Sequence, residues 1–214
     1  MRAFGIVRPR KCEVIMIIDE IIELEWNQFD KVNNEGGRAD CQDDFATFNI
    51  MRRSQFMVFT DELLESYKDD LITANETHQN LIEQKYARMM ASTAPQQYSE
   101  IEPYLPVKSD EQREHIENII SIQIPMMEEF ARMYPKMAGN ARSIHTYEDS
   151  AYNTSYETYL RGELLSYSLR SVLLYEQMIR KMKEQGENIA KLIMTNTALL
   201  YGYDSLEHAE ASLE

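Results

Sequence analysis

The chain has 214 residues, of which 22 are Lys or Arg and 36 are Asp or Glu, so its formal net charge at pH 7 is −14. Nucleic acids and anionic membrane surfaces are both negatively charged, and this charge balance argues against either as the main partner. Seven Gly and six Pro leave few obligatory breaks in the backbone, which favours helices.

The first fifteen residues differ in charge from the remainder of the chain, since four basic residues there face one acidic residue. We predict that residues 1–15 form a loosely held extension, or derive from an upstream start codon. Residues 16–203 are predicted to form a single helical domain, because domains typically contain roughly 100–200 residues. Residues 204–214 are predicted to form a short acidic helical tail.

The two cysteines, Cys12 and Cys41, form neither a disulfide framework nor a closely spaced metal-binding pair. A reducing cytoplasm is therefore the expected location. No apolar run approaches the roughly 18 residues of a membrane span, so we expect no membrane association.

The first predicted helix covers residues 14–34, where Ile15, Ile18, Ile22 and Phe29 recur at spacings of three and four. Two glycines, at 36 and 37, are predicted to end it. The helices that follow are predicted over 44–59, 60–71, 73–90, 109–134, 154–185 and 187–201. Their predicted N-terminal residues include Asp44, Thr60, Thr73, Ser109 and Thr154.

Two long polar loops separate these helices, over residues 92–108 and 135–153. Loops beyond about 12–15 residues in compact domains are often functional. With no alternating strand pattern in the sequence, the predicted fold is an all-α bundle of six to eight helices around one core.

Glu25 occupies a position where the helical pattern calls for an apolar residue, on the same face as Ile22 and Phe29. A buried carboxylate must be paired, bound to a metal or protonated, because a lone buried charge is very costly. Glu25 is thus a candidate catalytic residue, a structural ion-pair partner, or a surface group on a rotated helix. Arg52 or Arg53 either turns inward to balance such carboxylates or remains a surface charge.

Residues 33–44 form the densest polar block of the sequence. Asn34 and Arg38 are candidate substrate-binding residues, because a guanidinium group holds a carboxylate or phosphate with two hydrogen bonds. Asp40 and Asp44 are candidate oxygen ligands for a divalent metal, and Asp40 is also a candidate catalytic base. The simpler interpretation is a helix end, a turn and a helix N-cap.

A second group of candidates lies in and after the loop at 135–153. His145 is a candidate for proton transfer, although a loop histidine can equally be only solvated. Glu157 is a candidate catalytic carboxylate and Arg161 a candidate substrate ligand, but they can also simply pair with each other across one helical turn. Gly162, inside a predicted helix, indicates a close contact with another helix.

Two stretches resemble the signatures of a known family. Residues 23–56 read ELEWNQFDKVNNEGGRADCQDDFATFNIMRRSQF, and residues 141–168 read ARSIHTYEDSAYNTSYETYLRGELLSYS. Both are similar to bacterial domain-of-unknown-function family 4125, over residues 16 to about 203. The resemblance implies a small bacterial cytosolic protein, and it transfers no activity because the family has no established one.

Taken together, these patterns favour an enzyme or a binding domain for a small polar or anionic molecule. Its pocket would combine the carboxylates, Arg38 and His145, with a divalent metal as the candidate cofactor. The alternative is a non-enzymatic protein–protein interaction module, which predicts a large exposed apolar patch. The sequence does not determine the oligomeric state.

Overall fold

The computed structural model describes residues 12–33 and 37–213, and within these ranges it contains eleven α-helices and no β-strand. The helices are α1 Cys12–Phe29, α2 Phe45–Phe56, α3 Asp61–Glu76, α4 Leu81–Thr93, α5 Pro95–Ile101, α6 Asp110–Met133, α7 Pro135–Gly139, α8 Tyr156–Leu164, α9 Leu169–Glu184, α10 Ile189–Leu200 and α11 Leu206–Ser212. The all-α prediction is confirmed.

The predicted number of helices, six to eight, is too low. Two extra helices, α5 and α7, begin with Pro95 and Pro135 inside the segments predicted as loops. Proline starts a helix without penalty, because the first N–H groups of a helix have no intrahelical acceptor. The helix predicted over 154–185 is in fact two helices, and Ser168 begins the second by accepting a hydrogen bond from the Ser171 N–H.

Local capping chemistry fixes several helix starts as predicted. The side chains of Asp44, Thr60 and Ser109 each accept a hydrogen bond from the backbone N–H three residues later. The cap predicted at Thr73 is wrong, because Thr73 lies inside α3 and Asn80 caps α4 instead.

The end of α1 is set by a distant side chain. The helix ends at Phe29, although the sequence predicted that it continues to residue 34. The buried Gln42 side chain donates hydrogen bonds to the carbonyl oxygens of Phe29 and Val32, at 2.9 and 3.0 Å. These bonds satisfy carbonyls that a longer helix would use internally.

The main core gathers the inner faces of α1, α3, α6, α8 and α9. Its fully enclosed members include Ile21, Leu63, Ile119, Leu164 and Val172. None of the helices in the described part of the chain is long and apolar enough to cross a membrane.

A second, smaller cluster covers the ends of α6 and α10. Leu206 and Ala209 of α11 are buried there against Phe130 and Ala198. The short helix thus contributes an apolar face as well as acidic residues. At the other end of the chain, α1 begins within the predicted extension at residues 1–15.

Candidate functional site

Glu25 lies in the centre of the protein, with none of its surface exposed. Arg52 is the arginine that turns inward, and its Nε and Nη2 atoms donate to the two carboxylate oxygens of Glu25 at 2.7 and 2.6 Å. The Tyr67 hydroxyl donates to Oε1 at 2.6 Å. Of the interpretations of Glu25, the structure therefore contains the buried ion pair.

Glu163 and Lys85 complete this cluster, which we call the core ion cluster: Glu25, Arg52, Lys85 and Glu163. Lys85 Nζ donates to Glu163 Oε2 at 2.7 Å, and the Gln55 side chain donates to Oε1 at 2.9 Å. Two carboxylates and two cations balance in charge. Burial on its own would raise the pKa of Glu163, but Arg52 and Lys85 outweigh it and hold that pKa well below its usual range.

The close packing of α8 against α4 brings Glu163 and Lys85 together. A Cβ atom at Gly162 would lie 2.9 Å from the Lys85 carbonyl oxygen and 2.9 Å from Met89 Cγ. Gly162 therefore allows the helix contact that its position in the sequence indicated. The resulting cluster is enclosed, neutral and hydrogen-bonded, which is the arrangement expected of a structural element.

The side chains of the polar block at residues 37–44 form hydrogen bonds and ion pairs with neighbouring groups of the protein. Arg38 donates to Asp43 at 2.8 Å and to Asp30 at 2.6 Å, and both contacts are at the surface. Asp44 caps α2 by accepting from Thr47 N at 3.0 Å. Asp40 is exposed in a short 3-10 turn, and Asn34 lies outside the described residues.

These aspartates are not gathered into a metal site in the structure. Within residues 12–33 and 37–213, no group of three or more His, Cys, Asp or Glu side chains is arranged to hold a metal ion. The Asp44 carboxylate faces the N-terminus of α2, where the capping interpretation places it. The role of Asp40 and Asp44 as metal ligands therefore stays a prediction, and the described residues provide no group of three ligands that includes them.

The second block forms a different surface network. The Glu157 carboxylate accepts from Thr146 N at 2.9 Å and from Arg161 Nη2 at 2.8 Å. Arg161 also holds Glu117 with two hydrogen bonds. Burial would raise the pKa of Glu157, but its bonds to Thr146 and Arg161 lower it below the usual value. The Glu157 carboxylate is therefore ionised and already paired with Arg161, which agrees with the alternative that the two residues pair across one helical turn.

His145 lies at the edge of this network. Its Nε2 atom is 3.2 Å from Glu128 Oε1, and its ring stacks on Tyr147. The predicted site residues therefore divide among three places: Glu25 in the core, Arg38 and Asp44 around the end of α1, and His145 with Glu157 and Arg161 on the surface.

A different cationic pair, Arg88 and Lys108, is the most unusual polar feature of the described residues. Arg88, on α4, is only 7% exposed, and its Nη2 atom donates to the Pro106 carbonyl oxygen at 2.6 Å. Its Nε–H is enclosed and has no hydrogen-bond partner in the described part of the chain. Burial lowers the pKa of Arg88 from its usual value, and the Arg113 charge adds to this effect.

The same edge of the guanidinium group holds carboxylates elsewhere in this protein. Arg52 uses Nε and Nη2 for Glu25, and Arg161 uses Nε and Nη2 for Glu117. In Arg88 this edge carries one backbone carbonyl and one unsatisfied N–H. The Nε–Nη2 edge of Arg88 is therefore half occupied, whereas the same edge of Arg52 and of Arg161 holds a carboxylate.

Lys108 follows Pro106 by two residues and also lacks a carboxylate partner among the described residues. Its Nζ atom donates to the Tyr167 carbonyl oxygen at 2.7 Å. Burial and, to a smaller extent, the nearby Arg88 charge lower the pKa of Lys108 to about 8, against the opposing effect of Asp70. The segment over residues 102–109 is thus held by two cationic contacts to carbonyl oxygens, from Arg88 to Pro106 and from Lys108 to Tyr167.

A cleft of about 330 Å³ lies beside this segment. Its wall includes Gln84 and Ala87 of α4, and Leu105 and Pro106 of the segment. Pro106, whose carbonyl oxygen accepts from Arg88, therefore also lines this cleft. A ligand of a few non-hydrogen atoms fits a space of this size.

Arg88, Lys85 and Lys108 are not among the candidate residues that the sequence predicted. A signal for two of them exists, because Leu81, Lys85 and Arg88 recur at spacings of four and three and so share one face of α4. This spacing alone did not predict burial of Lys85 and Arg88, because basic residues on helices are usually exposed to solvent. For Lys108 the sequence carries no such signal, since its burial depends on α9 and α6 packing nearby.

Comparison with known proteins identifies the family. The model of the family described as protein of unknown function, DUF4125, matches residues 15–211. The chain belongs to this family. The resemblance of the two signature stretches to this family is thereby confirmed. Of the core ion cluster, Glu25 and Arg52 lie in the first DUF4125 signature stretch, and Glu163 lies in the second. No curated protein and no solved structure matches the chain.

Proposed function

We propose that this protein binds a small organic anion through the Nε–Nη2 edge of Arg88. The observation that carries the proposal is the enclosed Nε–H without an acceptor, next to an Nη2 atom that holds only the Pro106 carbonyl oxygen. A carboxylate would occupy both donors at once and displace Pro106. The exchange replaces one neutral acceptor with a charged, two-point contact.

The energetics favour such a ligand. A buried N–H without an acceptor costs about 1–3 kcal/mol, and hydrogen bonds to charged groups contribute about 1.5–3 kcal/mol. Within residues 12–33 and 37–213, neither Arg88 nor Lys108 forms an ion pair with a carboxylate, although the chain carries 36 acidic residues. Because the net charge of −14 repels anions at long range, binding must depend on this local contact and not on steering.

The catalytic roles predicted from the sequence contribute less to this proposal. Glu25, Glu157 and His145 already contact Arg52, Arg161 and Glu128, respectively. Their roles in catalysis stay predictions, as does the divalent metal. The support for a small anionic ligand therefore comes from Arg88 and not from the two polar blocks.

The alternative, an interaction module, predicts an exposed apolar patch. The outer face of α10 carries Leu192, Leu199, Leu200 and, just after it, Tyr201, which are between 36% and 50% exposed. These residues keep the alternative open. They define no particular partner, so the anion-binding proposal rests on the more specific observation.

The test is a thermal melt with acetate, pyruvate, citrate and phosphate, each at the same ionic strength against a chloride reference. A ligand at a hundred times its Kd adds about 2.7 kcal/mol to the free energy of unfolding. For a chain of this size, that raises the Tm by roughly 5–10 °C.

The variant R88Q removes the charged edge and should abolish the shift. R170Q is the matched control, because Arg170 is exposed and its nearest carboxylate, on Asp69, is 3.6 Å away. An equal shift in R88Q and the wild type would refute the proposal, as would the absence of a shift with all four anions.

A further inference from the structure

We infer that the cleft between the start of α4 and the segment over residues 102–109 binds a neutral monosaccharide. The cleft has a volume of about 330 Å³, and its walls come from the turn between α3 and α4, from α4 itself and from that segment. This site is separate from the Arg88 edge, and its ligand does not need that edge. The ligand class follows from the free hydrogen-bonding groups, the aromatic ring and the charge at the cleft wall.

A buried amide group offers a free acceptor to the cleft. Gln84 is only 8% exposed, and its Nε2 atom donates to Gln79 Oε1 at 3.0 Å. Its Oε1 atom accepts no hydrogen bond from the described residues, among which only Arg88 Nε is both enclosed and unpaired. Gln84 Oε1 therefore still reaches solvent, and Gln84 lines the cleft. Gln79 also lines it, and its Nε2 atom is a donor without an acceptor among the described residues.

His78 lines the same cleft in a strained backbone conformation. Its φ is +57°, whereas the other positive φ angles of the described residues all belong to glycines, at positions 37, 186 and 202. His78 directly follows the C-cap of α3, where glycine is the usual residue because it has no Cβ atom. The chain thus accepts backbone strain where it presents an imidazole to the cleft, which is typical of functional sites.

The segment over residues 102–109 adds an aromatic ring and apolar surface. Tyr104 lines the cleft and is 87% exposed, and Leu105 and Pro106 follow it along the same wall. The C–H face of a sugar ring packs on such a surface, while its hydroxyl groups stay free for hydrogen bonds. The cleft volume lies at the low end of the range for ligand pockets, roughly 300–1,000 Å³, which suits one sugar ring and not a chain of them.

The mixture of donors and acceptors favours a neutral polyol over a charged ligand. The exposed Glu83 carboxylate lines the cleft and, with the net charge of −14, disfavours anions. An ammonium group only donates, so it would leave the Gln79 Nε2 donor unmatched. A hydroxyl group both donates and accepts, so neighbouring hydroxyls can donate to Gln84 Oε1 or Glu83 and accept from Gln79 Nε2.

The experiment is saturation-transfer NMR on the full chain with glucose, galactose, mannose and ribose, followed by titration of each sugar that binds. Tetramethylammonium is the cationic probe. We expect saturation transfer to at least one sugar, strongest at the C–H face that packs on Tyr104. The Kd should be on the order of 1 mM, because a small ligand in an open cleft makes few contacts.

Three variants assign the binding to this cleft. Y104A removes the aromatic ring and should raise the Kd about fivefold, whereas the control Y152A removes a fully exposed ring outside the cleft and should leave it unchanged. Q84L removes the buried acceptor and should raise the Kd about tenfold. H78G should also raise the Kd but leave the Tm unchanged or higher, because glycine relieves the positive φ.

Each contrary outcome is distinct. Absence of saturation transfer to all four sugars overturns the inference, and so does transfer to tetramethylammonium alone, which would indicate a cation site. A Kd that is equal in Y104A, H78G and the wild type overturns it as well, because the sugar would then lie elsewhere. None of these results bears on the anion proposed at Arg88, whose test is a Tm shift that depends on that arginine.

Discussion

Neutralising Glu163 tests the core ion cluster most directly. The variant E163Q removes one of two buried negative charges and leaves Arg52 and Lys85 with Glu25 as their only carboxylate in the cluster. Removing one partner of a buried ion pair typically costs about 3–5 kcal/mol, because the remaining charge is buried without compensation. For a domain of about 200 residues, this corresponds to a Tm lower by roughly 6–20 °C.

The pH dependence gives a second, independent signature. The folded state lowers the pKa of Glu163 below the unfolded value, so its contribution to stability is fully present above that value. The contribution is lost as pH falls below about 5, where the unfolded chain takes up the proton first. E163Q cannot lose this contribution, so the difference in free energy of unfolding between wild type and E163Q should shrink from pH 7 to pH 3.

Urea unfolding followed by far-UV circular dichroism measures both effects. The matched control is E117Q, because Glu117 is also held by two hydrogen bonds from an arginine but has a 56% exposed side chain. Exposed pairs contribute about 0–1 kcal/mol. A loss of unfolding free energy in E163Q no larger than that in E117Q at pH 7, together with an unchanged dependence on pH, would refute the assignment of Glu163 to a buried ion cluster.

Three further predictions concern the packing of α8, the capping of α2 and the binding of a metal. G162A should lower the free energy of unfolding by about 1–3 kcal/mol in urea titrations, because its Cβ would approach the Lys85 carbonyl oxygen to 2.9 Å, and this outweighs the helix preference of alanine. The control is G139A, which has open space around it and should be nearly neutral. Equal effects of the two variants would contradict the close packing at Gly162. D44A should lower the free energy of unfolding by about 1 kcal/mol, because α2 loses its N-cap. A chelator should leave the Tm of the wild type unchanged. A lower Tm after chelation would instead support a metal at Asp40 and Asp44.

Short-range features of the fold were predictable from the sequence. The N-caps Asp44, Thr60 and Ser109 lie where the sequence placed them, since a cap needs only its own side chain and an N–H three residues later. The unusual position of Glu25 was also visible, because helical periodicity marks a carboxylate on an apolar face. That its partner would be Arg52, and not Arg53, depends on how α2 is rotated against α1.

Other boundaries depended on contacts that a local pattern cannot contain. Gln42 ends α1 from thirteen residues away, and the main break in the predicted helix at 154–185 lies at a serine that begins α9. The polar residues at 33–44, and those in and after the loop at 135–153, were predicted from the sequence as candidates for chemistry. In the structure, Arg38 and Glu157 hold nearby backbone and side-chain groups in place.

The sequence by itself determined the helical class, the starts of α2, α3 and α6, the family and the need for a partner at Glu25, because each of these depends on composition, periodicity or adjacent residues. The tertiary structure alone decided which charges are compensated. Glu163 and Lys85 meet through the contact of α8 with α4 at Gly162, whereas Arg88 lies against Pro106 with no carboxylate among its described contacts. Charge compensation depends on distances of a few ångströms between residues far apart in the chain, and burial determines how strongly each charge acts.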